Sequence, residues 1–235
     1  MIPKKIHYCW FGGKELPKLA KKCIQSWEKF CPDYEIIRWD ESNFDVSCID
    51  YTRFTSEKKL YAYLSDYVRL WAVEKYGGFY FDTDVELIRS VDALCEEHAV
   101  FSFEGKLVTT GLGFGAEANH PLVKAMLEVY ETKSFLELER NYEEWGHLMG
   151  SPKMNTYAML PYGLQQNGEN QIIDGARILS QEYFCPFNDI TGELSITDNT
   201  YGIHWYMKSA NGKWAKLRSK ISRPLHRIVK AMGRM

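Results

Sequence analysis

Apolar and polar residues alternate through Lys5-Ile6-His7-Tyr8-Cys9, between Pro3 and Gly12-Gly13, and this period of two predicts a strand. Pro17 then opens a segment to about Phe30 in which Leu19, Cys23, Ile24 and Trp27 recur at helical spacing. Pro32-Asp33 turns the chain, and Tyr34-Glu35-Ile36-Ile37-Arg38-Trp39 predicts a second strand. Strand, helix and strand with short connections form a βαβ unit, the building block of a largely parallel sheet.

The clearest helix is expected over 57–75, where Leu60, Leu64, Tyr67 or Val68, Trp71 and Ala72 recur and Gly77 supplies the stop. Phe79-Tyr80-Phe81 predicts a buried strand over 78–82. Further strands are expected near 99–103, 111–116, 176–179 and 201–206, and helices near 121–132, 136–148 and 153–160. No internal repeat or low-complexity linker divides the chain. The pattern therefore predicts one α/β domain over residues 1–207, with a mostly parallel, Rossmann-like sheet flanked by helices, followed by a helical tail over 208–235.

Charge separates that tail from the body. The chain has 29 basic and 31 acidic side chains, and nine of the basic ones but none of the acidic ones lie beyond Met207. Within 213–235, Leu217, Ile221, Leu225, Ile228 and Val229 are interleaved with Lys and Arg, although Pro224 interrupts any single helix. A basic amphipathic segment suits an anionic membrane surface; packing against the acidic body is the other reading. The acidic body argues against a broad nucleic-acid face. Six scattered cysteines without a C-x-x-C pair, together with no signal peptide or membrane span, lead us to expect reduced thiols. The matching location is the cytoplasm, at the inner face of the cell membrane.

The candidate chemistry lies at the end of the aromatic strand. Asp82 and Asp84 flank Thr83, and in extended chain their side chains would point to opposite faces; a turn at Thr83 would bring both to one ion. Two carboxylates about 4 Å apart repel by about 4 kcal/mol at an effective dielectric near 20. A divalent cation relieves this, and oxygen ligands suit Mg²⁺ or Mn²⁺ with phosphate oxygens completing the shell. A polar turn after a strand is the alternative. On the preceding helix Asp66 and Arg69 share a face. They are a surface ion pair, or, in so apolar a helix, a buried pair that requires polar partners.

The blocks Ile6-His7-Tyr8-Cys9-Trp10-Phe11-Gly12-Gly13, Leu64-Ser65-Asp66-Tyr67-Val68-Arg69-Leu70 and Gly77-Gly78-Phe79-Tyr80-Phe81-Asp82-Thr83-Asp84-Val85-Glu86-Leu87 resemble the DXD sugar-transferase family. That family includes the yeast initiating α-1,6-mannosyltransferases and bacterial capsule enzymes, and its blocks are similar to those of the clostridial toxin glucosyltransferase domain. The resemblance is close over 1–90 and weaker over 91–207.

It implies a GT-A fold, a UDP-sugar (or GDP-sugar) donor, Mn²⁺ or Mg²⁺, and retention of anomeric configuration. It also implies a glycan or lipid-linked acceptor in surface polysaccharide synthesis. By position, Trp10 would stack on the donor base, Asp66 and Arg69 would hold sugar hydroxyls, and Tyr80 would lie near the ribose. Asp82 would contact ribose or metal, and Asp84 would ligate the metal directly.

Two segments depart from the family pattern. Gly202-Ile203-His204-Trp205-Tyr206-Met207-Lys208-Ser209 resembles its closing His…Ser-Trp segment, but Ser209 and Trp214 are five apart. His204 is expected on the metal or diphosphate; Lys208, Ser209 and Trp214 are expected in a loop over the donor. In Thr109-Thr110-Gly111-Leu112-Gly113 the Asn that relatives often carry ahead of the glycine-rich turn is missing. Asn155 is the polar candidate on the acceptor side. The rival readings are a nucleotidyltransferase, for which Gly12-Gly13-Lys14 is a slight triphosphate loop, and a non-catalytic glycan-binding or membrane adaptor.

Overall fold

A computed structural model describes residues 1–132 and 150–207. The helix expected at 136–148, the tail, and with it Lys208, Ser209 and Trp214 lie outside the described residues. The βαβ opening is present as β1 (Lys5–Cys9), α1 (Lys18–Phe30) and β2 (Glu35–Trp39), with β1 and β2 parallel. Next come α2 (Asp50–Glu57), α3 (Tyr61–Tyr76), β3 (Gly78–Tyr80) and β4 (Val85–Leu87). The chain continues through β5 (Ala99–Glu104), β6 (Leu107–Val108), β7 (Phe114–Ala116), α4 (Pro121–Thr132) and α5 (Ser151–Met159), then β8 (Gln171–Ile173), β9 (Ala176–Leu179) and β10 (Gly202–His204).

The main sheet has the order β2-β1-β3-β7-β5-β9-β8, with β6 paired to β5. It is mixed and mostly parallel: β7 and β8 run against β2, β1, β3, β5 and β9, and β6 runs against β5. β4 and β10 form a separate antiparallel ladder.

Several expectations shift in detail, and the strands expected over 78–82 and 201–206 shorten to 78–80 and 202–204. The helix expected from 57 begins at 61, because Lys59 adopts a left-handed φ of 56° and separates α2 from α3. The strand expected over 111–116 shortens to 114–116, since Gly111-Leu112-Gly113 is a turn. β4 and β8, three residues each, have too few positions to show a period.

Strand alternation divides the core. Phe79 and Phe81 face the α1 side, where Phe81 packs on Trp27 with ring centroids 5.8 Å apart. Tyr80 faces the α3 side. α3 is buried nearly all round, which explains its continuous apolar sequence. At its end Gly77 takes φ 62°, and a Cβ there would lie 2.8 Å from the Pro3 ring, so the helix stop doubles as a close packing point.

A buried histidine ties this junction together. His7 is fully buried in β1. The Trp39 indole N–H can only donate and lies 3.2 Å from His7 Nδ1, so Nδ1 accepts and Nε2 donates to the Gly77 carbonyl at 2.8 Å. Burial holds this neutral ring down at about pKa 4 against an ordinary 6.5. The folded-state value is depressed, so its contribution to stability is complete above pH 6.5 and is lost as pH falls towards 4, by at most about 3 kcal/mol. Urea unfolding at a series of pH values is expected to show this loss; in His7→Leu about one proton's worth of slope should vanish from that window.

Candidate active site

The period of two that buries Phe79 and Phe81 on one face sends Tyr80 and Asp82 to the other, towards α3. There α3 presents Asp66 and Arg69 one turn apart. Arg69 Nη2 donates to Asp82 Oδ1 at 3.2 Å and forms an ion pair with Asp66 Oδ1 at 3.0 Å, while Nε donates to the Ser65 carbonyl at 3.1 Å. The guanidinium also lies over the Tyr80 ring, 5.0 Å from its centroid, and the Tyr80 hydroxyl donates to Asp82 Oδ1 at 2.9 Å. Arg69 is thus a buried bridge between two carboxylates rather than half of a surface pair.

The chain reverses at Thr83: the Val85 amide donates to the Asp82 carbonyl at 2.9 Å. That turn keeps Asp84 from pointing away from Asp82. It is held from two sides. α1 braces β4 through Trp27 Nε1–H on the Val85 carbonyl at 2.8 Å and Ser26 Oγ on the Leu87 amide at 2.9 Å. β10 pairs with β4 so that His204 stands opposite Val85, and His204 Nε2 reaches Asp84 Oδ1 at 3.3 Å. The Met207 amide donates to Asp84 Oδ2 at 2.6 Å. Asp82, Asp84 and His204 each present a ligand atom within 4.8 Å of the others.

Electrostatics separates the two aspartates. Burial pushes the Asp82 carboxyl above its usual range, although Arg69 opposes it. Burial acts in the same direction on Asp84, but the adjacent His204 outweighs it and holds Asp84 below the usual range. His204 shows the reciprocal effect: burial lowers it, and the Asp84 carboxylate raises it to about 10. Burial lifts Asp66 to about 6 against the pull of Arg69. Three carboxylates therefore face one fixed guanidinium and one imidazole. Two hard oxygens and an imidazole nitrogen converging this closely suit a divalent cation such as Mn²⁺ or Mg²⁺, and an imidazole that ligates one surrenders the proton it holds for Asp84.

The other expected residues take varied positions. Trp10 follows β1 at the same carboxyl edge of the sheet, half-buried, with its indole N–H donating to the Lys14 carbonyl at 2.6 Å. Tyr80 is fully buried behind Asp82. Asn155 is also fully buried, and its side-chain amide donates to Thr110 Oγ1 at 3.0 Å. Sequence reasoning passed over Ser151, buried at the start of α5, whose hydroxyl helps to lower the Asp66 carboxyl against the effect of burial. It also passed over Tyr130, whose buried hydroxyl has no hydrogen-bond partner among the described residues. Both are single residues in elements with no motif to mark them.

A mixed α/β sheet that gathers an Asp-x-Asp turn, a histidine and a buried Asp–Arg pair at the carboxyl ends of β1 and β3 places this domain in the GT-A class. Residues 17–101 match the family model described as a glycosyltransferase sugar-binding region containing a DXD motif, so the resemblance to DXD sugar transferases holds. Inositol phosphoceramide mannosyltransferase 3 of Schizosaccharomyces pombe is 38% identical over 101 residues, covering 40% of this chain and 27% of that protein. Mannosyl phosphorylinositol ceramide synthase SUR1 of Saccharomyces cerevisiae is 25% identical over 217 residues, covering 89% of this chain and 53% of that protein. The chain thus spans about a quarter to a half of the length of these curated relatives. Among solved structures, the PaToxG glycosyltransferase is similar in fold, with a TM-score of 0.50 at 17% identity and 68% of each chain covered.

Gly111 closes the site on the sheet side. Its carbonyl accepts from the Asp82 amide at 3.1 Å, and a Cβ on it would fall 2.3 Å from Asp82 Oδ2 and 3.1 Å from Arg69 Nη1. Gly111→Ala is expected to displace Asp82 and cost about 1–3 kcal/mol. Chemical unfolding measures that cost. Binding of a nucleotide sugar, read by calorimetry, should fall at least tenfold; unchanged binding would show that Asp82 is not fixed in this way.

Proposed function

We propose that the protein is a metal-dependent, retaining glycosyltransferase that moves a hexose from a nucleotide-diphosphate sugar to a hydroxyl of a glycan or lipid-linked acceptor. The observation that carries this reading is the convergence of Asp82, Asp84 and His204 within 4.8 Å beside the buried Asp66–Arg69 pair. The relatives' names, a mannosyltransferase and a mannosyl phosphorylinositol ceramide synthase, favour mannose as the hexose and a lipid headgroup hydroxyl as the acceptor. The toxin-like blocks favour UDP over GDP as the nucleotide.

Asp84, Asp82 and His204 would hold a divalent cation, which supplies positive charge against the diphosphate leaving group. Trp10 stacks on the base at the mouth of the sheet edge. Arg69, already engaged by Asp66, Asp82 and the Ser65 carbonyl, acts by fixing both carboxylates. Their remaining oxygens accept hydroxyls of the sugar and ribose. Asp82 is the more open of the two, its side chain 30% exposed against 13% for Asp66. Tyr80 serves the ribose through Asp82, and Asn155 shapes the acceptor side through Thr110. No carboxylate stands out as a nucleophile for double displacement, so a front-face route is favoured in which the leaving phosphate accepts the acceptor proton.

A triphosphate-binding loop is disfavoured because the Gly12 amide is already taken by the Glu41 carboxylate at 2.6 Å. A retired, non-catalytic scaffold has no reason to keep five polar groups converged in a buried site. Lys208, Ser209 and Trp214 are proposed to close over the donor. Residues 213–235 are proposed to bind an anionic membrane surface, such as the cytoplasmic leaflet. No helix among the described residues is long and apolar enough to cross a membrane.

Hydrolysis of a panel of UDP- and GDP-hexoses with Mn²⁺ tests the reading. One donor is expected to be cleaved, and Asp84→Asn should lower that rate by at least a hundredfold; no cleavage of any donor would reject the transferase reading. For the membrane, deletion of 213–235 is expected to abolish sedimentation with anionic liposomes while donor hydrolysis persists. Liposome binding that survives the deletion would place the contact elsewhere.

A further inference from the structure

Behind His204 lies a small half-buried network that none of these assignments uses. The Tyr206 ring packs against the imidazole, with centroids 4.3 Å apart and planes inclined at 56°. Its hydroxyl donates to Glu104 Oε1 at 2.6 Å and lies 3.0 Å from Cys185 Sγ. Glu104 is the last residue of β5, so the phenol anchors this segment to the main sheet rather than to the three-residue β4–β10 ladder. The neighbouring Phe184 carbonyl accepts from the His204 amide at 3.2 Å, which braces the same segment from the Cys185 side.

Histidines that ligate metals usually have their second ring nitrogen held by a hydrogen bond, which fixes ring orientation. Here His204 Nε2 faces Asp84, while Nδ1 is buried and lacks a hydrogen bond of good geometry, the nearby Cys185 thiol meeting the Tyr206 hydroxyl instead. Besides Asp84, the imidazole has the Tyr206 ring packed against it to fix its orientation. The backbone adds a second effect. Tyr206 adopts φ 51°, in the left-handed region that a bulky aromatic residue enters only under constraint. This bend sends the Met207 amide to Asp84 Oδ2 at 2.6 Å, leaving Oδ1 on the His204 side.

We propose that Tyr206 is the positioning residue of the cation site: its ring fixes the His204 imidazole, its left-handed backbone aims the Met207 amide at Asp84, and Glu104 anchors it. The inference rests on the reading of Asp82, Asp84 and His204 as cation ligands.

The test is Mn²⁺ binding to the whole protein without donor, followed by loss of the free-ion electron paramagnetic resonance signal, with a thermal melt run on each variant. Wild type is expected to bind Mn²⁺. Tyr206→Phe, which keeps the ring and loses both hydroxyl contacts, should bind about tenfold more weakly. Glu104→Gln, which leaves Tyr206 in place, should shift in the same direction by less and gives a reading even if Tyr206→Phe does not fold. Weakened binding in both variants, or in Glu104→Gln where Tyr206→Phe does not fold, supports the proposal; a folded Tyr206→Phe with wild-type affinity overturns it. Wild-type affinity retained in the folded variants, whatever their melting temperatures, would overturn it and leave the cation site standing. Absence of Mn²⁺ binding in wild type would overturn both.

Discussion

Arg69 pairs through one terminal nitrogen with Asp66 and Asp82, 3.0 and 3.2 Å away, and lies almost wholly out of solvent over the Tyr80 ring. An aromatic strand can end in acidic groups only if something bears their charge where water cannot. Breaking a buried ion pair costs about 3–5 kcal/mol, because the surviving charge is left uncompensated. This one guanidinium links α3 to the end of β3, fixes the side chain of Asp82, and requires that position 111 carry no side chain. The position of Asp82 at the end of β3, and hence of the turn at Thr83 and of Asp84 after it, depends on that contact.

A single arginine does not balance three carboxylates. His204 takes part of the remainder, holding Asp84 ionised while its own proton is held by Asp84. The site therefore keeps an excess of negative charge, with the Asp82 side chain 30% exposed. The same imbalance is what the proposed divalent cation, with the diphosphate it would carry, would relieve. The scaffold absorbs the strain away from the chemistry: α1 braces β4, and β10 brings in the histidine from the far end of the described chain.

Much of this was legible in the sequence. The alternation through β1 and β2, the helix between them and the glycine stop after α3 follow from period and turn chemistry, and Asp66, Arg69, Asp82 and Asp84 from charges set in apolar surroundings. A turn at Thr83 that unites the aspartates could be anticipated from geometry alone. The antiparallel insertion of β7 could not, because three residues carry no direction. Nor could the roles of Gly111, Ser151 and Tyr206. Each depends on which atom lies opposite in space: a carboxylate oxygen against a missing Cβ, a hydroxyl on Asp66, a ring on an imidazole. Arg69, expected to hold sugar hydroxyls, also holds the two aspartates.

The central claim is that the carboxylate–histidine cluster, held in place by Arg69, binds the cation of a nucleotide-sugar complex. Anomalous diffraction at the manganese edge, from crystals grown with Mn²⁺ and an unreactive nucleotide sugar, tests it most directly. The account predicts one strong peak bounded by Asp82, Asp84 and His204, with diphosphate density beside it and the Arg69 bridge intact. A nucleotide bound elsewhere, or a peak that does not touch Asp84, would contradict it.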